Sequence, residues 1–543
     1  MVNVAILASV TAVFMAVTIY LGWYGYRSTK DNGQFLLGKN KANPVLIALS
    51  YGATFISTSA IVGFGGMAAR YGLSIVWLAV LCILVGTILA FLVFGKRTRR
   101  IGNSLGAFTF ADFLGKRFKS GWIRTVVALI ILVGMPIYCA AVLIGGVNLI
   151  SVTMGLDKNV ALLGLSLIVA MYVTFGGVIA VMYNDALQAG IMFVGMVFIL
   201  VFTFWQLGGV TEAFNSLGQL WEIKVADGTF DSIIANGMNG WNEMPTFGTP
   251  IWMTVITTLL MGVGIGSIAQ PQLAVRFMSA KDDKTLNRSM AIGAVFVFVI
   301  LGTAFTVGPL SNVFFYDAHG LTAVEYISNS DMIIPTFVNE LFANLSFGDL
   351  FVSIFILALV CATISTMAAL LHTMGSSAGY DLWGQIKERR GEKLKNMDRA
   401  TIKSLRASRI STLVMMILVV LVAYLMPSNI IARATTIFMG LTAAAVLPSF
   451  AYGLFSKNPD KRAAHVSIAV GAVSWSFWAF FIERTTSGMM GVCNAIFGVK
   501  YLSEGTIGFV DPLVIGLPLS ALALVITLLV IKALGKTPAP VAE

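Results

Sequence analysis

Two stretches hold clusters of hydroxyl oxygens inside otherwise apolar sequence: "SYGATFISTSAIVGFGG" (50–66) and "CATISTMAALLHTMGSS" (361–377). Neither contains a carboxylate, and neither has the nucleophile, base or thiolate spacing of an enzyme centre. Neutral hydroxyls and backbone carbonyls freed by a break in a helix can coordinate a hard cation, which prefers oxygen. Consecutive hydroxyls such as Ser365 and Thr366 point about 100° apart on a helix. Two therefore flank one ion, while the carbonyl three residues back adds another ligand. Ser, Thr and Gly also permit close helix packing, and composition by itself leaves both readings open.

The elements that must position these oxygens are membrane helices. The chain has 543 residues, is 57% hydrophobic and only 11% charged, and its mean hydropathy is +0.87. A soluble chain carries about 25% charged residues, so this is an integral membrane protein. Apolar runs of about 20 residues match a helix crossing a core of roughly 30 Å; they lack the two-residue alternation of barrel strands. The net charge of +11 does not point to nucleic acid, because the basic residues gather in "GKRTRR" (95–100), "GKRFK" (115–119), "KERRGEKLKNMDRATIKSLRASR" (387–409) and "KNPDKR" (457–462). That is the positive-inside pattern. The first run has no basic residue before it and no cleavage site behind it, so it reads as a retained helix. Cys82, Cys139, Cys361 and Cys493 lie in or beside apolar runs without metal spacing and read as packing residues.

Hydropathy places thirteen helices near 4–24, 44–70, 73–96, 122–151, 158–182, 184–208, 249–277, 288–314, 335–379, 406–426, 431–455, 464–483 and 510–534. With the N-terminus outside and the C-terminus inside, every basic loop falls on one side, and the long loops 209–248, 315–334 and 484–509 fall on the other. The stretch 335–379 is too long for one upright span and must be tilted, broken or preceded by a surface segment. The hydroxyl clusters then fall in the second and ninth helices. Glycine- and hydroxyl-rich breaks at corresponding places in two inverted halves point to a transporter's binding site.

"YVTFGGVIAVMYNDALQ" (172–188) resembles the signature of the solute:sodium symporter family through Tyr172, Thr174, Gly176, Gly177, Ala180, Val181, Asp185 and Gln188. "GSIAQPQLAVRFMSAKDDKTL" (266–286) resembles the family's segment after the seventh helix, and 50–66 its second helix. The resemblance covers about 20–460. It implies an all-α fold with a LeuT-type inverted-repeat core of five plus five helices and extra helices at both ends. Its division of the chain is a first helix and cytoplasmic loop (1–40), first repeat (41–210), external loop (211–248), second repeat (249–456) and peripheral helices twelve and thirteen with the tail (457–543). It also implies a sodium site built from Ala53, Ile56, Ala362, Ser365 and Thr366. A second ion site in some members needs two further ninth-helix hydroxyls; this chain has Ala368 and Ala369 there, so one coupled Na+ is expected. Asp185 is expected to brace the bundle more than to ligate an ion.

The family's proline carriers have Asp where this chain has Phe55, and Trp and Tyr where it has Val263 and Ser267; its sugar carriers have Gln and Glu at Ala60 and Ala79. What remains near the centre is an uncharged polar lining: Thr58, Ser59, Ser267 and Gln270, with Gln272 close by. The wording of the helices most resembles the pantothenate and monocarboxylate branch, which implies a small organic carboxylate. The expected function is secondary active, sodium-coupled symport of a small organic solute, not an enzyme activity. The partners are that solute, sodium and the lipid bilayer of the cell membrane. No nucleic acid or oligomeric partner is assigned. Proton coupling through Asp185 or His372 is the alternative within transport, and a solute sensor docking a partner on the 380–409 loop is the alternative outside it. His319, His465 and the tryptophans read as structural, and Arg276, Lys281, Asp282 and Asp283 as a solvated cytoplasmic loop network.

Overall fold

In the computed structural model, residues 4–28, 36, 43–343, 348–389, 397–427 and 429–535 are described. Among them ten helices are long and apolar enough to cross a membrane, and three shorter apolar helices accompany them. No strand occurs among the described residues. The first span is Val4–Ser28. The second is broken into Pro44–Phe55, Ser59–Gly63 and Phe64–Tyr71. Gly72, at φ +73 and packed on the Trp241 backbone, turns it into the third span, Val76–Ile83 continued to Ser104. The fourth is Gly121–Met154. The seventh and eighth are Pro250–Met278 and Asp283–His319. The ninth is Gly348–Ser376 and the tenth Met397–Leu425. The eleventh, twelfth and thirteenth are Ile431–Phe455, Lys461–Ile482 and Pro512–Ala533.

The fifth and sixth spans differ from their expected form: Lys158–Gln206 is one helically bonded run of 49 residues. The run nevertheless doubles back. Leu165 and the ninth-span Thr363 both lie against Gly146, while Gly195 packs against Ala358, little more than a turn from Thr363 on the same ninth span. Were the run straight, Leu165 and Gly195 would be about 45 Å apart. Two antiparallel legs therefore stand where hydropathy expects two helices. The side chains of Tyr172 and Phe175 and the surroundings of Gly176 and Gly177, within the family-like stretch, lie outside what is described. The long stretch 335–379 resolves into a separate helix, Ile333–Leu341, followed by the ninth span.

Helix starts follow local chemistry. Asn43, Thr249, Asp282 and Asp511 each accept a backbone N–H from the first turn of the helix they precede, satisfying a donor that the helix cannot. Glycine lets the spans approach closely. A Cβ on Gly308 would meet Ala68 Cβ at 2.9 Å and Ala69 N at 3.1 Å on the second span. Gly308→Val is therefore expected to cost about 2 kcal/mol, seen as a lower unfolding temperature of purified protein. Gly302→Ala, on the same helix but facing open space, should leave that temperature unchanged. The outer surface carries Val13, Phe298, Leu421, Val473 and Leu529 exposed, as a lipid-facing belt requires.

Candidate functional site

The second span breaks where Ile56, Ser57, Thr58 and Ser59 follow one another. Hydroxyls that bond backbone locally and a β-branched side chain both weaken a helix there. Ile56 is extended (φ −91, ψ 108), although its N–H still donates to Gly52 O. The chain resumes with Ala60 N and Ile61 N both donating to Ser57 O. The carbonyls of Ala53, Thr54 and Ile56 are thereby released from the helical ladder and turn toward the ninth span.

There they meet the hydroxyl pair. Ser365 Oγ donates to Ala53 O at 2.9 Å and lies 3.2 Å from Ala362 O. Thr366 Oγ1 lies 3.3 Å from Ala53 O, 3.4 Å from Thr54 O and 3.5 Å from Ile56 O. The five oxygens named from the sequence, on Ala53, Ile56, Ala362, Ser365 and Thr366, are thus linked in one cluster through Ser365 and Thr366, and all five residues are fully buried. The cluster is neutral and all-oxygen. A hydroxyl that rotates its hydrogen away presents a lone pair, so the donor set fits a hard monovalent cation.

Beside it lies a charged corner. Asp185 Oδ2 accepts from Ser50 Oγ (2.7 Å), Thr54 Oγ1 (3.3 Å) and Arg276 Nη2 (3.0 Å). Arg276 also donates to Thr54 Oγ1 at 3.2 Å. Arg276 is 2% exposed, so it does not belong to the solvated loop network expected for it; its charge is neutralised by the sixth span's carboxylate. Asp283 does pair with Arg99 and Arg100, and Asp282 caps its helix. Thr54 links the two groups: its carbonyl faces Thr366 and its hydroxyl faces Asp185.

A cavity opens beside the break, lined by Phe55, Ser57, Ser59, Phe64, Leu78, Cys82, Tyr138, Val263, Leu301, Phe305, Thr435 and Met439, with Ile56 and Ala60. Its volume is about 20 Å³, room for a water and too little for an organic solute. One wall is polar. Ser57 Oγ and Ser59 Oγ are 2.5 Å apart, Thr435 Oγ1 donates to Ser59 Oγ at 2.9 Å, and Tyr138 lines the same cavity. The rest is apolar, and no lining residue is charged.

Of the four residues expected on the solute, only Ser59 lines this cavity. Thr58 turns to the ninth span, where its hydroxyl bonds Thr363 and Leu359 O. Ser267 bonds Gly264 O (2.8 Å) where the seventh span is broken by a 3-10 turn, Gly266–Ala269, and an extended Gln270. Gln270 bonds Gly266 O (3.0 Å) and Thr442 Oγ1 (2.9 Å), satisfying backbone that the break exposes. His372 is buried on the ninth span, 6% exposed, outside both clusters. Ser57, Tyr138 and Thr435 were missed. Ser57 lay in view in the first hydroxyl stretch; Tyr138 and Thr435 sit singly in apolar runs, and no local pattern marks them.

A family model described as the sodium:solute symporter family matches residues 35–471. The chain is 26% identical to the osmoregulated proline transporter OpuE of Bacillus subtilis over 88% of its own length and 89% of the other. It is 28% identical to the sodium/pantothenate symporter of Haemophilus influenzae over 81% of its length and 83% of the other. The solved structure of a Na+-coupled sialic acid symporter, described as substrate-bound and outward-open, covers 99% of each chain at TM-score 0.74 and 17% identity. At that identity the likeness is one of fold: a LeuT-type helical transporter core.

Proposed function

Because the chain belongs to the sodium:solute symporter family, we propose that its two oxygen-lined sites bind one sodium ion and one small organic carboxylate and carry them together into the cell. It is a multi-pass membrane transporter and not an enzyme, with sodium as coupling ion. The observation that carries the ion site is the convergence of Ser365 and Thr366 on carbonyls of the broken second span. One sodium rather than two is supported by Arg276, whose guanidinium already meets Asp185, and by Ala368 and Ala369. We assign the repeats to 41–210 and 249–456, with 1–40, the external loop 211–248 and the peripheral helices of 457–543 outside them.

Sodium pulls the Ala53, Ile56 and Ala362 carbonyls and the ninth-span hydroxyls onto one centre, which stiffens the break. The neighbouring residues Ser57 and Ser59 then face the solute with Tyr138 and Thr435. Coupling is reciprocal: the factor by which sodium raises solute affinity is the factor by which solute raises sodium affinity. The relatives named above transport proline and pantothenate. An uncharged cavity offers an amino group no counter-charge, and Phe55 occupies part of its wall. A carboxylate is received by the four hydroxyls, and the apolar side takes its carbon skeleton.

The test is unfolding temperature of the purified protein against short carboxylates, pantothenate, proline and sugars, each in sodium and in choline. A carboxylate that stabilises only with sodium, and drives counterflow in proteoliposomes, is the expected result. Sodium-dependent stabilisation by proline or a sugar alone would overturn the substrate class. Stabilisation indifferent to sodium would overturn the coupling site.

A further inference from the structure

Arg433, near the start of the eleventh span, is a second buried arginine, 7% exposed. Its Nη1 donates to Thr258 Oγ1 at 3.1 Å on the first half of the seventh span. It faces two carboxylates, Glu483 at 3.4 Å and Asp511 at 3.8 Å. Both are anchored on helix starts. Glu483 accepts from Thr485 N (3.1 Å) and Thr486 N (2.7 Å), and Asp511 from Leu513 N (2.9 Å). Asp511 N also donates to Thr257 Oγ1 at 3.0 Å. Helix N-termini favour negative charge, so two carboxylates opposite one guanidinium are tolerated and held in place. The loop charges put this group on the external side, opposite the Arg276–Asp185 corner.

The two groups occupy matching positions. The second and seventh spans each begin with a proline behind a capping side chain, and each contains a π-helical segment and an extended residue, Ile56 and Gln270. Asp185, near the start of the sixth span, grips Ser50 and Thr54 on the first half of the second. Arg433, near the start of the eleventh, grips Thr258 on the first half of the seventh. Under the repeat assignment above, on which this step rests, they are one site seen twice, on opposite faces and with opposite charge.

We propose that Arg433 is a positioning residue of the outer gate. Its bond to Thr258 holds the outer half of the seventh span against the eleventh while the cavity is closed to the outside, as Asp185 holds the inner half of the second span. Glu483 and Asp511 keep the guanidinium aimed, which gives the twelfth and thirteenth spans, outside both repeats, the task of anchoring the gate. The two tied helices are cavity walls, through Val263 and Thr435.

Cys82 lines the cavity and reports on its opening. In right-side-out vesicles, a charged membrane-impermeant thiol reagent should modify Cys82 about tenfold faster in Thr258→Val and Arg433→Gln, the shift expected when a charge-assisted hydrogen bond to the closed state is lost. Arg433→Lys should fall between these and wild type, and Cys82→Ala gives the background from the other cysteines. In inside-out vesicles the same variants should label no faster than wild type, whereas Asp185→Asn should. Equal acceleration from both sides would show general loosening and overturn the proposal, as would an unchanged external rate in Thr258→Val. That variant leaves the guanidinium and both carboxylates in place, so it decides the matter even where Arg433→Gln fails to fold. Labelling needs neither sodium nor solute, so its outcome is independent of whether the coupling site is assigned correctly.

Discussion

Replacing Ser365 and Thr366 together with alanine is expected to abolish sodium binding while the protein still folds. In the proposed site the two hydroxyls supply two of the five oxygens, and the other three are carbonyls. Interactions of this kind with a charged group contribute about 1.5–3 kcal/mol each, so losing both should weaken sodium at least about 100-fold. In wild type, sodium at 100 times its Kd should add about 2.7 kcal/mol of stability, measured as a sodium-dependent rise in unfolding temperature over choline. The variant should gain at most about 0.4 kcal/mol at the same concentration and show no sodium-stimulated uptake. A full sodium shift in the double variant would place the ion elsewhere.

Arg276→Gln should be the most damaging single change at the inner side. It strands Asp185, fully buried, with only the hydroxyls of Ser50 and Thr54 to stabilise its charge. Breaking a buried ion pair by removing one partner costs about 3–5 kcal/mol. Asp185→Asn in the same chain removes the stranded charge and should recover most of that loss, because a neutral amide tolerates the site. The four unfolding free energies form a cycle. A coupling near zero would mean that the pair does not hold the second and seventh spans together. The recovered double variant should still transport poorly, since Thr54 would no longer be fixed from its hydroxyl side.

The parts of this architecture that were legible in the sequence are those written in contiguous residues. Thirteen apolar runs, loop charge and the break at 56–58 are all local, and so are the neighbouring hydroxyls Ser365 and Thr366. What was not legible is pairing across distance. Arg276 sits among Lys281, Asp282 and Asp283 in the chain and so reads as part of a solvated loop, yet its partner lies on the sixth span. Thr58 and Ser59 are equally polar neighbours, but their directions diverge, and only Ser59 reaches the cavity. The run Lys158–Gln206 shows the reverse case: hydropathy places two spans where local bonding makes one, and neighbours on the ninth span reveal the turn.

The cavity wall carries no formal charge, and the ion pair beside the oxygen cluster, Asp185 with Arg276, cancels itself. The charge that crosses with each loaded carrier is therefore the charge of its cargo alone. Sodium with a neutral solute moves one elementary charge, on which 100 mV acts with about 2.3 kcal/mol. Sodium with a carboxylate moves none. An electrode on a membrane packed with this protein would read the solute's charge directly, as a current for one class of cargo and silence for the other.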